Sequence, residues 1–205
     1  MTWSKRLLDL VFAALLALLL WPLLLGLLVW LWRRQGRPLF HFSERMKGVD
    51  RPFNLWKLRT MTVAEADSGV SGGDKAARIT PEGAWLRARR LDELPQLWNI
   101  LKGDLSFVGP RPPLRDYVER FPGLYGEVLK SRPGVTGLAT LVYHRHESRL
   151  LERCATPAET DAVYARACVP RKARLDLIYQ RRRTLCLDFA LVFETLGNLI
   201  ARPRR

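Results

Sequence analysis

From Leu7 to Trp32 nearly every residue is apolar, with Asp9, Pro22 and Gly26 the exceptions. Crossing the hydrocarbon core of a bilayer takes roughly 20 such residues. A cleaved signal peptide has a shorter apolar region and ends at small residues. This run ends in Val29-Trp30-Leu31-Trp32 followed by Arg33-Arg34, so the sequence predicts a permanent membrane anchor. Trp3, Trp30 and Trp32 suit the interfacial preference of indole, while Trp21 would lie deep in a straight span.

Basic residues flank both ends of the run, Lys5-Arg6 before it and Arg33, Arg34 and Arg37 after it. Positive flanks favour the cytoplasmic side, and a straight helix cannot place both there. A re-entrant hairpin can. Pro22 supplies the break, because it has no N–H and its ring clashes with the carbonyl of Leu18. A kinked spanning helix is the alternative, since neighbouring groups or water rescue a proline in lipid. Pattern alone does not choose between them.

The anchor takes residues 1–36 and leaves 37–205 for one small cytosolic domain with a core. The formal net charge of +14 asks for an anionic partner: nucleic acid, an anionic membrane surface or phosphorylated substrates. No zinc-finger or ribonucleoprotein motif appears, and the anchor argues against nucleic acid. Cys154, Cys168 and Cys186 are odd in number and lack CxxC spacing, which fits reduced thiols.

Along the domain, Phe53 to Arg59 alternates apolar with polar, as a half-buried strand does. Ala64 to Gly83 reads as a mobile polar loop and Pro81 to Arg90 as a helix. A helix through Tyr117 and Phe121 is ended by Pro122-Gly123. Arg132 to Gly137 reads as a turn into a short strand, Leu138–Val142, on which His144 and His146 would share a side. From Thr156 onward the chain reads as helical pieces. One of them spaces Leu175, Ile178, Tyr179 and Leu185 along an apolar face among basic residues. Such a helix either lies on an anionic bilayer surface or packs on the core.

The chemistry concentrates in Leu91-Asp92-Glu93-Leu94-Pro95-Gln96-Leu97-Trp98-Asn99. Pro95 is tolerated in a first helical turn, which places Asp92 near an N-cap. Leu94, Leu97, Trp98 and Leu101 follow at helical spacing, and Gly103 ends the element. Alone, the pair reads as ordinary capping. But Arg87, Arg89 and Arg90 precede it and Arg111 follows. A helix N-terminus also keeps a carboxylate ionised and attracts phosphate. Carboxylates crowded by arginines beside a membrane make sense if phosphates join them.

Several motifs then occur in order: Lys57-Leu58-Arg59-Thr60-Met61, Arg78-Ile79-Thr80, Arg87, the Asp-Glu-Leu-Pro-Gln run, Gly109-Pro110-Arg111-Pro112, Arg132-Pro133-Gly134-Val135-Thr136-Gly137, and Asp176 and Asp188. From Lys5 to about Gly197 the chain resembles the monotopic phosphoglycosyl transferases, a family of bacterial sugar transferases, in what looks like its minimal catalytic form. The resemblance implies an α+β fold, mainly α. Its parts are an N-terminal re-entrant membrane hairpin and a small catalytic domain with amphipathic interfacial helices and short strands. It implies transfer of a hexose 1-phosphate, from an amino sugar by expectation, from a UDP-sugar to undecaprenyl phosphate. The place is the cytoplasmic face of the bacterial inner membrane. By the same resemblance Asp92 is the nucleophile and a ligand of Mg2+, and Glu93 handles a proton. Lys57, Arg59, Arg87, Pro110, Arg111, Arg132 and Arg145 contact substrate. Anionic lipids are expected partners, and a homodimer is left open. Small relatives carry Ser-Pro at the hairpin break, where this chain has Trp21-Pro22. They also carry a Gly-Trp-Ala-Gln-Val-Asn-Gly-Arg-type run where this chain reads Gly137 to His146.

Physics supports the need for these parts. An anionic nucleophile meeting a diphosphate needs guanidinium groups and a divalent cation to offset the charge. Arg111, between two prolines, is preset as a phosphate clamp. The competing reading is a non-catalytic, membrane-tethered basic scaffold that binds anionic lipid or a partner enzyme, for which the Asp92 carboxylate has no role.

Overall fold

The apolar run folds as one helix, α1 (Trp3–Gln35), in a computed structural model that describes residues 2–63 and 73–200. Thr2 caps its start by accepting the Lys5 N–H, and Gly36, at φ 68°, ends it. Pro22 lies inside α1, which is helical on both sides of it. It is long and apolar enough to cross a membrane. Leu15, Leu18, Leu19, Trp21, Leu23 and Leu25, near its middle, are exposed.

Both ends of α1 rest on the rest of the chain. Arg6 donates to the carbonyls of Ile100 and Leu101 at 2.7 and 3.0 Å, and Ala13 packs with Phe53, Leu55, Ile100 and Leu105. At the other end Leu27 and Leu31 pack with Leu58 and Leu86. There Arg59 donates to the carbonyls of Gln35 and Gly36 at 2.7 and 3.1 Å.

The strand expected around Phe53 is present as β2 (Arg51–Leu58), paired antiparallel with β1 (Phe40–Gly48) through a two-residue turn that sets Gly48 opposite Arg51. Alternation puts Phe53, Leu55 and Lys57 on one face and Trp56 on the other, where its ring meets Phe42 at 4.9 Å. Helix α2 (Pro81–Ala88) is capped by Thr80, and α3 (Gln96–Lys102) lies against β2. Asn99 is 0 % exposed and makes that contact specific. Its side chain accepts the Trp56 N–H at 3.0 Å and donates to the Asn54 carbonyl at 2.8 Å.

Two sequence motifs interlock through their backbones. β3 (Ser106–Val108) runs parallel to β4 (Gly134–Thr136). Gly134 N–H donates to the Pro110 carbonyl at 2.8 Å, and Gly109 N–H to the Thr136 carbonyl at 2.9 Å. A Cβ on Gly109 would strike the Arg132 carbonyl, and one on Gly134 would strike the Gly109 nitrogen. Both positions need glycine because backbone meets backbone there.

Helices α4 (Arg115–Arg120), α5 (Pro122–Val128), α6 (Leu138–Leu151), α7 (Pro157–Val163) and α8 (Val169–Arg182) form the second half, and a π turn at Tyr164–Cys168 joins the last two. They close on a core that includes Tyr117, Val118, Tyr125, Tyr143, Tyr164 and Val169. Pro122 ends α4 and also opens α5, in the first-turn position that suits proline. The strand expected at Leu138–Val142 is instead the start of α6, where Ala139, Thr140 and Tyr143 are buried at helical spacing. His144 and His146, two positions apart on a helix, therefore do not share a side. Part of the expected polar loop, residues 64–72, lies outside the described residues; Gly73–Arg78 forms 3-10 turns. Helix α8 packs Leu175 and Tyr179 inward. The following α9 (Leu185–Ile200) leaves Leu185, Phe189, Phe193 and Leu196 exposed.

Replacing Asn99 by Leu would leave the Trp56 N–H and the Asn54 carbonyl buried without partners. The expected loss is roughly 2–4 kcal/mol, read as a fall in melting temperature of the detergent-solubilised chain. An unchanged melting temperature would mean that α3 is held by apolar packing alone.

Candidate active site

The chain leaves α2 through Arg90, whose φ of 54° is left-handed, and enters a 3-10 turn at Leu91–Glu93. The cap residue of α3 is Pro95, and it makes no side-chain cap bond. Asp92 is therefore not the N-cap that the sequence suggested. It sits one turn earlier and is 6 % exposed.

Asp92 and Glu93 meet cations unequally. Lys57, on the inner face of β2, places Nζ 3.2 Å from Glu93 Oε1, and Arg90 reaches the other Glu93 oxygen at 3.6 Å. Burial pushes Glu93 up, but Lys57, Arg111 and Arg90 outweigh it and hold the carboxyl below its ordinary range. For Asp92 burial prevails: Lys57 and Arg87 pull down, Glu93 pushes up, and the net shift is upward. Asp92 thus lies one turn before α3 rather than at its N-terminus, and burial shifts its carboxyl upward instead of a helix start holding it down. Burial likewise lowers the Lys57 ammonium despite its carboxylate partner. Two adjacent carboxyls with pKa values pushed apart are suited to different roles in one reaction.

Arg87 donates to Thr60 Oγ1 at 2.8 Å and acts on the Asp92 carboxyl from there. Arg111 is exposed, and its charge is felt at Lys57 and Glu93. Pro110 is buried and serves through its carbonyl in the interlock. Three expected residues do not join this group. Arg59 is turned to the end of α1, because two helix-end carbonyls there need donors. Arg132 faces Arg6 near the start of α1. Arg145 lies exposed on α6, a consequence of the helix that replaced the expected strand.

Arg45 belongs to the group and the sequence reading passed over it. Its Nε donates to Ser43 Oγ at 3.2 Å and a terminal nitrogen to the Pro112 carbonyl at 3.4 Å. It lines a cavity with Gln96, Arg111 and Pro112. Burial and Arg111 lower its pKa to about 10. Among the described residues no carboxylate lies within ion-pair distance of it, so this pair of arginines is short of negative charge. The alternation of Phe40 and Phe42 against His41, Ser43 and Arg45 was the available signal.

Among the described residues no cluster of three or more His, Cys, Asp or Glu could hold a metal alone. Mg2+ is commonly bound by one or two carboxylates together with substrate phosphates, and the adjacent Asp92 and Glu93 supply such a donor set.

The model of the family described as bacterial sugar transferase matches residues 1–202. A Caulobacter vibrioides protein named UDP-glucose:undecaprenyl-phosphate glucose-1-phosphate transferase is 43% identical over 201 residues, which cover 96% of this chain and 69% of that protein. A Klebsiella pneumoniae protein of the same name is 34% identical over 197 residues, 94% of this chain and 39% of that one. An Aeromonas hydrophila UDP-N-acetylgalactosamine-undecaprenyl-phosphate N-acetylgalactosaminephosphotransferase is 29% identical over 202 residues, 96% of this chain and 43% of that one. The chain thus spans about two fifths of the length of the last two relatives.

The upward shift at Asp92 has a consequence for stability. A carboxyl whose folded pKa is raised favours the fold below its unfolded pKa and loses that contribution as pH rises through the folded value. Asp92→Asn should therefore melt at or above the parent near neutral pH, with the advantage shrinking as pH falls toward the ordinary carboxylate range. Calorimetry across pH checks this; a variant destabilised at neutral pH and equal to the parent in acid would reverse the sign.

Proposed function

This chain belongs to the bacterial sugar transferase family, and from that premise we propose that it transfers a hexose 1-phosphate from a UDP-sugar to undecaprenyl phosphate. The activities for which the relatives are named support the reaction class. The observation that carries it in this chain is the Asp92–Glu93 pair, split in pKa and attended by Lys57, Arg87, Arg90 and Arg111, with Arg45 beside Arg111.

In this reading an Asp92 carboxylate oxygen attacks the sugar-bearing phosphorus. The bond from that phosphorus to the UMP oxygen breaks, and UMP leaves with the electron pair. An oxygen of undecaprenyl phosphate then attacks the same phosphorus and Asp92 departs as carboxylate. Glu93, kept ionised by Lys57, accepts the proton that the incoming phosphate carries. Raised basicity makes Asp92 the stronger nucleophile once it is ionised. Arg45 and Arg111 offset charge on the phosphoryl oxygens. Bound at Asp92, Mg2+ would supply further charge neutralisation. Splitting the transfer means that the two bulky phosphates need not be held together.

No side chain of the site argues for an amino sugar, and the 43% identical relative is named for glucose. UDP-glucose therefore stands beside UDP-N-acetylgalactosamine in the test. The matching sugar nucleotide alone should release one UMP per chain and add a sugar phosphate to the Asp92 peptide by mass. Turnover with undecaprenyl phosphate should fall on the order of 10³-fold or more in Asp92→Asn and stop in excess chelator. Near-normal turnover of a folded Asp92→Asn would refute the covalent route.

The anchor reading is a re-entrant hairpin on the cytoplasmic face. From Arg6 to Gln35 a straight helix would run about 44 Å. Yet Arg6 binds Ile100, whose neighbour Asn99 is bonded to Trp56, and Gln35 is bound by Arg59 three residues farther on. That stretch of strand is about 10 Å. Two attachment points so close favour a bend near Pro22, with the exposed middle of α1 in lipid. Cysteines at Trp3 and Arg37, in a background without the native three, should react with an impermeant reagent only after cells are permeabilised. Labelling of the Trp3 site in intact cells would indicate a straight span.

A further inference from the structure

A second set of cations gathers at the start of α1, away from the dyad. Lys5 Nζ lies 3.0 Å from both Asp9 Oδ1 and Asp188 Oδ2, and the Tyr179 hydroxyl donates to Asp188 Oδ1 at 2.6 Å. Lys5 is thus paired with two carboxylates. Beside it opens a cavity of about 10 Å3 lined by Ser106, Arg132, Tyr179 and Arg183 as well as Lys5. Ser106 is 1 % exposed and its Oγ has no partner. A buried terminal nitrogen of Arg132 also lacks one. Among the described residues neither Arg132 nor Arg183 has a carboxylate within ion-pair distance, although Asp9 and Asp104 act on Arg132 from farther away. Arg6, which faces Arg132, is turned to the Ile100 and Leu101 carbonyls. The cavity holds one oxygen-sized atom, so a tetrahedral oxyanion can insert one oxygen and keep the rest at the mouth.

The surroundings say what carries that oxyanion. Phe12 of α1 meets Phe189 of α9 at 6.2 Å. Phe189, Phe193 and Leu185 leave an exposed apolar strip next to Arg183 and Asp188. Cations at the edge of such a strip match a headgroup whose chains lie on it. We propose that Ser106, Arg132 and Arg183 form a site for the phosphate of an anionic phospholipid, separate from the cavity at Arg45 and Arg111. The assignment rests on the reading that α1 and α9 meet the membrane.

The test uses the full chain in detergent, titrated with short-chain phosphatidylglycerol or phosphatidylcholine and followed by native mass spectrometry. Phosphatidylglycerol should bind in preference. Arg183→Gln should weaken that binding about tenfold or more, while the exposed neighbour Arg182→Gln changes it no more than about twofold. UMP release by Arg183→Gln in detergent should match the parent. Equal losses in the two variants would mean diffuse surface charge and overturn the site. Displacement of the lipid by millimolar inorganic phosphate would assign the cavity to a free anion and overturn the lipid. Parent protein that attaches to vesicles without preferring phosphatidylglycerol would defeat this proposal alone. Failure to attach to vesicles of any composition would defeat the membrane reading.

Discussion

Asn99 stands at the free edge of β2, where a third strand would otherwise pair, and answers both the N–H of Trp56 and the carbonyl of Asn54. An unpaired strand edge invites foreign pairing; here one amide closes it. The same contact fixes α3 against the hairpin, and with α3 the turn that carries Asp92 and Glu93. Lys57, one residue beyond the bonded Trp56, consequently arrives within ion-pair reach of Glu93. Arg6, bound to the carbonyls that follow Asn99, ties the start of α1 to the same point. Remove that amide and strand, dyad and anchor lose their common reference.

The electrostatics around the dyad are unbalanced by design of the fold rather than by any one residue. Lys57, Arg87, Arg90 and Arg111 act on two carboxyls, and Arg45 and Arg111 already repel one another. A polyphosphate entering such a place meets cations with too few partners, while a neutral sugar does not. This explains why the net positive charge of the chain resides partly inside it.

Much of this was legible in the sequence. The apolar helix, β2, α2 and α3 follow from apolar runs, alternation and glycine or proline punctuation, whereas the turn at Asp92 and Glu93 does not, since the sequence suggested a helix cap there. The failures share a cause. Leu138 to Val142 alternates weakly enough to read as a strand, but burial against the helical core selects α6. Gly109 and Gly134 were visible as turn residues, yet their mutual contact is a long-range fact that no local pattern encodes. Arg59 and Lys57 look alike at two-residue spacing, and only the end of α1, with its unanswered carbonyls, separates them. For Arg45 the alternation of β1 shows only which face it takes; its importance arises from Arg111, far along the chain.

The placement of Arg59 also makes the anchor something more than a tether. The guanidinium that grips the last carbonyls of α1 stands two residues from the lysine that holds Glu93. A retilting of α1 is therefore delivered to β2 beside the dyad and not to a slack linker. The apolar helix and the site are joined by a lever one strand long.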